Sequence, residues 1–238
     1  MKSIKLVFVS SIMWFGLTTL NAQNTYVPDD NFEQALIDLG YDDTLDDYVL
    51  TANISGVTNL DVYDKSISDL TGIEAFTALT WLECSDNQLT SLDVSANTAL
   101  TNLHFSQNQL TSLDLSNNTA LTGLACYGNK LTSLDLSNNT ALTGLYSNTN
   151  QLTSLDLSNN TALTNLHIGS NQLTNLDISN NTALTELFCA YNQLTSLDVS
   201  NNTALTSLEC WNNQLTSLDV SKNTVLSELQ CFTNQLTS

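Results

Sequence analysis

Arginine is absent from this sequence, and its five basic residues, all lysine, face 24 Asp and Glu for a formal net charge of −19. A nucleic-acid binder needs clustered cations to neutralise phosphates, so that class is excluded, and an anionic membrane surface is disfavoured for the same reason. Only 12% of the 238 residues are charged, so the acidity comes from scarce lysine and not from acidic runs. Proline occurs once and histidine twice. Apolar residues nevertheless make up 42% of the chain, too many for a disordered segment. Asn, Thr, Ser and Leu fill the remaining space, and that bias points to a repeat.

A long apolar run occurs once, from Leu6 to Leu17, after the basic start Met1-Lys2-Ser3-Ile4-Lys5. Leu20-Asn21-Ala22 follows as a small-residue cleavage site, so residues 1–22 read as a signal peptide cut after Ala22. The run is too short to span a bilayer, and no basic stop-transfer cluster follows it. No Cys stands just after the cut, which disfavours a lipid anchor. The mature chain is therefore expected to be exported, with no membrane insertion after cleavage.

Leu89, Leu110, Leu131, Leu152, Leu173, Leu194, Leu215 and Leu236 stand 21 residues apart. Leu103, Leu124, Leu145, Leu166, Leu187, Leu208 and Leu229 form a second column, and Val94, Leu115, Leu136, Leu157, Ile178, Val199 and Val220 a third. A fixed period of this length means stacked coils, with like residues on like. Asn87 to Asn234 and Asn97 to Asn223 add two polar columns, expected to pair with backbone groups buried at the turns.

Within each unit, Leu100, Leu103, Asn108 and Leu110 spell Leu-x-x-Leu-x-x-x-x-Asn-x-Leu. This resembles the leucine-rich repeat, over roughly residues 57–238. The resemblance implies a β-rich solenoid with a parallel sheet on one face and short strands or turns on the other. The first unit, Val57 to Leu79, has the 22-residue length of bacterial internalin repeats, and Lys65 replaces its ladder Asn. An internalin-like bacterial protein, secreted or displayed at the cell surface, is what that likeness implies.

Residues 23–56 read as an N-terminal helical cap. Asp29 to Gly40 has an acidic start, apolar positions at Phe32, Ala35, Leu36 and Leu39, and a terminal Gly. Beyond the last coil no matching cap is seen, so the chain is expected to be a piece of a longer protein.

Variation between units is concentrated around the strand. The expected ligand-binding positions there are Trp81, His104, Tyr127, Tyr146, His167, Phe188, Tyr191, Trp211 and Phe232, taken to share the outward face. Phe188, Tyr191, Trp211 and Phe232 are expected to form one apolar patch, with Trp81, Tyr127 and Tyr146 as a second. A protein partner is expected; a carbohydrate partner and a passive spacer are the alternatives. Cys84, Cys126, Cys189, Cys210 and Cys231 share an interior column and are expected to be free thiols, because coils stacked about 4.8 Å apart do not suit disulfide geometry.

Asp93, Asp114, Asp135, Asp156, Asp177, Asp198 and Asp219 form a carboxylate column in which mutual repulsion is expected to raise pKa values, unless calcium bridges the rungs. Asp42, Asp43, Asp46 and Asp47 are a second calcium candidate, although they lack the Gly and terminal Glu of an EF-hand loop. Catalysis is not expected: His104 and His167 lie three coils, about 14 Å, apart, and no nucleophile–base pair or phosphate loop is present.

Overall fold

The computed structural model describes residues 23–237; the expected signal peptide lies outside them. The chain winds into a stack of coils, each contributing one three-residue strand to a single parallel sheet. β1 (Asn24–Tyr26) and β2 (Tyr48–Leu50) pair antiparallel in the cap, around α1 (Asp30–Asp38) and the short α2 (Thr51–Ile54). The nine-stranded sheet comes next: β3 (Asn59–Asp61), β4 (Trp81–Glu83), β5 (Asn102–His104), β6 (Gly123–Ala125), β7 (Gly144–Tyr146), β8 (Asn165–His167), β9 (Glu186–Phe188), β10 (Ser207–Glu209) and β11 (Glu228–Gln230).

The strands pair in strict sequence order and perfect phase. Leu60 faces Leu82, which faces Leu103, and the column continues to Leu208 against Leu229. Each central Leu is buried from Leu60 to Leu208, while its flanking residues point outward. Other inward columns fill the space behind: Leu100 and its equivalents, Val94 and its equivalents, and the interior Cys column. The opposite side consists of turns, with a single 3₁₀ turn (Ile73–Ala75) in the 22-residue first unit.

The two Asn columns hold neighbouring coils together in different ways. Asn108 Nδ2 donates back to Cys84 O in the preceding coil (3.0 Å) and to Phe105 O in its own, while its Oδ1 accepts the Leu89 amide at 2.9 Å. In the second column Asn118 Nδ2 donates to Val94 O and Asn97 O of the preceding coil. Its Oδ1 has no partner, and the same holds at Asn97, Asn139, Asn160, Asn181, Asn202 and Asn223. The expected pairing with backbone is therefore complete in the first column, and present only on the donor side in the second.

Helix α1 begins as its sequence dictates. Asp29 Oδ1 accepts the amides of Asn31 and Phe32, while Oδ2 accepts the Ser68 amide, the Ser68 hydroxyl (2.7 Å) and the Asp69 amide. One carboxylate thus caps the helix and fastens it to the first repeat. Phe32 meets Phe76 at a ring separation of 6.4 Å, so cap and solenoid share one core. Gly40, at φ 79°, ends the helix.

Candidate binding surface

Each strand presents its first and third residues outward. Trp81, His104, Tyr146, His167 and Phe188 occupy these positions directly. Tyr127, Tyr191, Trp211 and Phe232 do not lie on strands: they fall two or three residues beyond a strand's end. The sheet-type hydrogen bonding runs on into that stretch, Asp86 N to Ser106 O and Gln107 N to Tyr127 O being examples, which carries these side chains onto the same side.

A column of left-handed residues terminates this extension. Asp64, Asp86, Gln107, Thr149, Ser170, Tyr191, Asn212 and Thr233 all have φ between 52° and 58°. The Gly128 of the equivalent coil has φ 68°. A side chain at such a φ costs roughly 1–2 kcal/mol, so the strain recurs in nearly every coil. Sequence reasoning missed this column because its residues share no chemistry. Their one common feature is a place just ahead of the ladder Asn that fixes the turn.

The first of the two expected patches is divided between two aromatic clusters. Tyr146, His167 and Phe188 run across β7, β8 and β9 with ring separations of 4.9 and 5.9 Å. Tyr191 meets Trp211 edge-on at 4.4 Å, and Trp211 stacks on Phe232 at 5.0 Å and 17°. Phe188 therefore belongs with the first cluster and not with Trp211, because it stands at a strand position ahead of the turn. The second expected patch also divides: Trp81 packs against His104 at 5.9 Å, and Tyr127 stands apart from both clusters. Gly169 makes room for this arrangement, since a Cβ there would overlap the Phe188 ring.

Polar groups frame the rings. His104 Nδ1 lies 3.0 Å from Glu83 Oε2, and Ser85 N donates to Glu83 Oε1 at 2.8 Å. Burial raises the Glu83 carboxyl, but the hydrogen bonds from His104 and Ser85 outweigh it and hold it below its ordinary range. Glu186 receives Asn165 Nδ2 at 2.6 Å, with His167 Nε2 3.0 Å from its other oxygen though out of line for a hydrogen bond. Glu209 Oε2 accepts from Trp211 Nε1 at 3.4 Å. Glu83, Glu186, Glu209 and Glu228 face outward on this sheet, and no lysine occupies any outward strand position.

The opposite face is regular and chemically plain. Each column Asp accepts the backbone amide of the Ser two residues on, as Asp114 Oδ1 does from Ser116 at 2.9 Å. That amide and the Ser hydroxyl hold Asp114, Asp135, Asp156 and Asp219 below the usual carboxylate range; at Asp93, Asp177 and Asp198 the hydroxyl leads. The expectation of raised values is overturned: repulsion between exposed carboxylates is screened by water, whereas the serine bonds act at contact. A hollow of about 260 Å³ lies between Asp135 and Asp156, lined by Ser133, Ser137, Ser154 and Ser158. Among the described residues no three His, Cys, Asp or Glu side chains are gathered to hold a metal ion.

All five cysteines are free; four are buried and Cys231 is half-buried in the last coil. Burial pushes the Cys126 and Cys210 thiols up to about 12. They are packing groups, not nucleophiles. No helix among the described residues is long and apolar enough to cross a membrane.

Comparison with known proteins places this architecture. The family model described as LVIVD repeat matches residues 166–190, about the length of one coil. Internalin J of Listeria monocytogenes serotype 4b (strain F2365) is 42% identical over 85 residues, 34% of this chain and 9% of that protein. The solved functional domain of internalin J from Listeria monocytogenes, described as including a cysteine ladder, superposes with a TM-score of 0.74 at 37% identity, over 91% of this chain and 54% of that one. Internalin C2 from the same organism gives 0.68 at 24% identity, over 91% of each chain, a likeness of fold. The chain thus spans about a tenth of the curated relative and about half of the solved internalin J domain.

Proposed function

We propose, from the premise that this chain is an internalin-like leucine-rich repeat solenoid, that it is an exported, non-catalytic module which recognises a protein partner through its sheet face. Leucine-rich repeat solenoids of this kind are protein-interaction scaffolds, and the role in adhesion or surface contact is our reading. The observation that carries it is the Tyr191–Trp211–Phe232 stack. Tyr191 is 48% exposed beside the Trp211 ring, an apolar surface that water does not favour. Trp and Tyr are also the residues in which binding energy concentrates. Export rests on the basic-apolar-small pattern of residues 1–22.

A carbohydrate partner is the second reading, and the Glu186–Asn165 pair beside Phe188 favours it, since a carboxylate and an amide next to a ring suit a sugar's hydroxyls and its apolar face. A passive spacer would use neither cluster. Probing the purified chain against a protein array and a glycan array separates the three readings: protein hits lost on Trp211→Ala with Tyr191→Ala support the first, glycan hits the second, and no hit on either the third.

A further inference from the structure

Four glutamates face outward on the sheet, and three of them are well supplied with donors. Glu83 has His104 and Ser85, Glu186 has Asn165, and Glu228 accepts Gln230 Nε2 at 2.9 Å. Glu209 differs. It is half-buried, and its side chain accepts a single long bond, from Trp211 Nε1 to Oε2 at 3.4 Å. Its register neighbours do not help. Phe188 on β9 is apolar, and its ring leans over Gly169 in the coil before, away from Glu209. Gln230 on β11 donates to Glu228 instead. The ion pairs among the described residues join Lys65 to Asp38, His104 to Glu83 and His167 to Glu186, so none reaches Glu209.

A partly desolvated carboxylate is costly unless hydrogen-bonded or matched by a positive charge, and aromatic faces also attract cations. Here both occur together, since Tyr191 meets Trp211 at 4.4 Å and Trp211 meets Glu209. We propose that the sheet face takes an arginine-bearing basic segment of a protein partner, with a guanidinium on Glu209 and against the Trp211 and Tyr191 rings; this rests on the protein-partner reading above and adds the partner's chemistry. Arginine suits the place better than lysine. Its planar guanidinium stacks on a ring while forking onto a carboxylate, and it is the more weakly hydrated cation. Glu209 Oε1 accepts no hydrogen bond, which leaves it available to such a fork. The rest of the face acts in the same sense. Asp61, Glu83, Glu186 and Glu228 point outward with no lysine among them, in a chain of formal net charge −19. A basic partner is drawn to this surface and an acidic one turned away. A neutral sugar would hydrogen-bond to Glu209 and leave its charge unmatched.

Fluorescence anisotropy with a pair of labelled peptides tests this on the full chain. One is a Gly-Ser peptide carrying several Arg, and the other has citrulline, a neutral isostere, at the same positions. The Arg peptide should bind saturably and weaken roughly tenfold or more between about 50 and 500 mM NaCl. The citrulline peptide should bind roughly tenfold more weakly at the lower salt. Glu209→Gln keeps the side chain's shape and its bond from the indole, yet should weaken the Arg peptide about fivefold or more, as should Trp211→Ala. Thermal melts confirm that both variants fold. Asp135→Asn with Asp156→Asn removes charge from the opposite face and should change binding less than about twofold, because those charges stand beyond a Debye length. Absence of Arg-peptide binding overturns the proposal, as does equal binding of the two peptides or wild-type affinity in Glu209→Gln. So does a loss in the Asp135 and Asp156 pair as large as in Glu209→Gln, which would mark diffuse attraction to an acidic chain. An array protein that needs Trp211 and Tyr191 but binds independently of salt and of Glu209 would overturn the arginine and leave the protein-partner reading standing.

Discussion

The backbone amide of Tyr191 donates to the carbonyl of Trp211 at 3.1 Å, and the two rings meet edge-on at 4.4 Å. The same relation recurs one coil on, where the Asn212 amide donates to Phe232 O at 3.0 Å beside the Trp211–Phe232 stack. The rings are thus held in place by main chain that the repeat fixes whatever side chains it carries. The scaffold does not depend on them.

That independence sets the first prediction. Trp211→Ala with Tyr191→Ala should reduce partner binding by two orders of magnitude or more, since interface aromatics contribute about 2–4 kcal/mol each. The thermal melt should move little. Asp156→Asn with Ser158→Ala, on the opposite face, should leave binding intact. Surface plasmon resonance with the identified partner decides; a greater loss in the second pair would mean that the wrong face has been assigned.

Gly169 gives a subtler probe of the other cluster. A Cβ at this position overlaps the Phe188 ring, so Gly169→Ala must turn that ring away from His167 without touching the core. Binding that uses Tyr146, His167 and Phe188 should fall, while urea unfolding changes by about 1 kcal/mol or less. Paired binding and urea curves on the one variant measure both.

The Asn columns predict unequal costs. Asn171 Nδ2 shares its two hydrogens among the Ser147, Ile168 and Gly169 carbonyls and its Oδ1 accepts the Leu152 amide, so Asn171→Ala strands buried groups of two coils and should cost about 3 kcal/mol or more. Asn160 donates to Leu136 O and Asn139 O, but its Oδ1 is already unpaired. Asn160→Ala should cost less than Asn171→Ala. Equal midpoints in urea would contradict the distinction.

Acid should weaken the fold, not strengthen it. The column carboxylates have folded pKa values below their unfolded ones, held there by the Ser two residues on. Asp29 shifts the same way: burial opposes the shift, but the bonds from Ser68, Phe32 and Asp69 prevail. Groups of this kind contribute stability above the unfolded Asp value, about 3.9, and lose it as pH falls through the folded one. Asp42, raised, acts in the opposite sense, as one group against many. The melting temperature should therefore be nearly flat between about pH 8 and 5 and fall below about 4. A rise on acidification towards pH 5 would restore the repulsion account.

The solenoid was legible because its signal is repeated. Leu103, Asn108 and Leu110 recur at one spacing down the chain, and the acidic cap at Asp29 and the Gly40 stop bracket α1 within a residue or two. The β1–β2 pair was not legible, since three-residue strands such as Asn24–Tyr26 carry no alternation to read. The grouping of the aromatics failed for a related reason. Phe188 and Tyr191 are three residues apart in the chain, yet the left-handed turn between strand and ladder Asn sends them to different neighbours. Pairwise forces also resist a reading by columns: Asp114 looks like one of a row of like charges, and its nearest influence is Ser116.

The in-phase register has a mechanical consequence. Each strand of the sheet bonds only to the strands before and after it, so the load is carried from neighbour to neighbour. Tension applied along the axis would strain one row of backbone bonds at a time and peel the stack coil by coil. Each release of 21 residues would add roughly 70 Å of extended length. Such a molecule yields in small, even steps, keeping the remaining coils intact while it absorbs the pull.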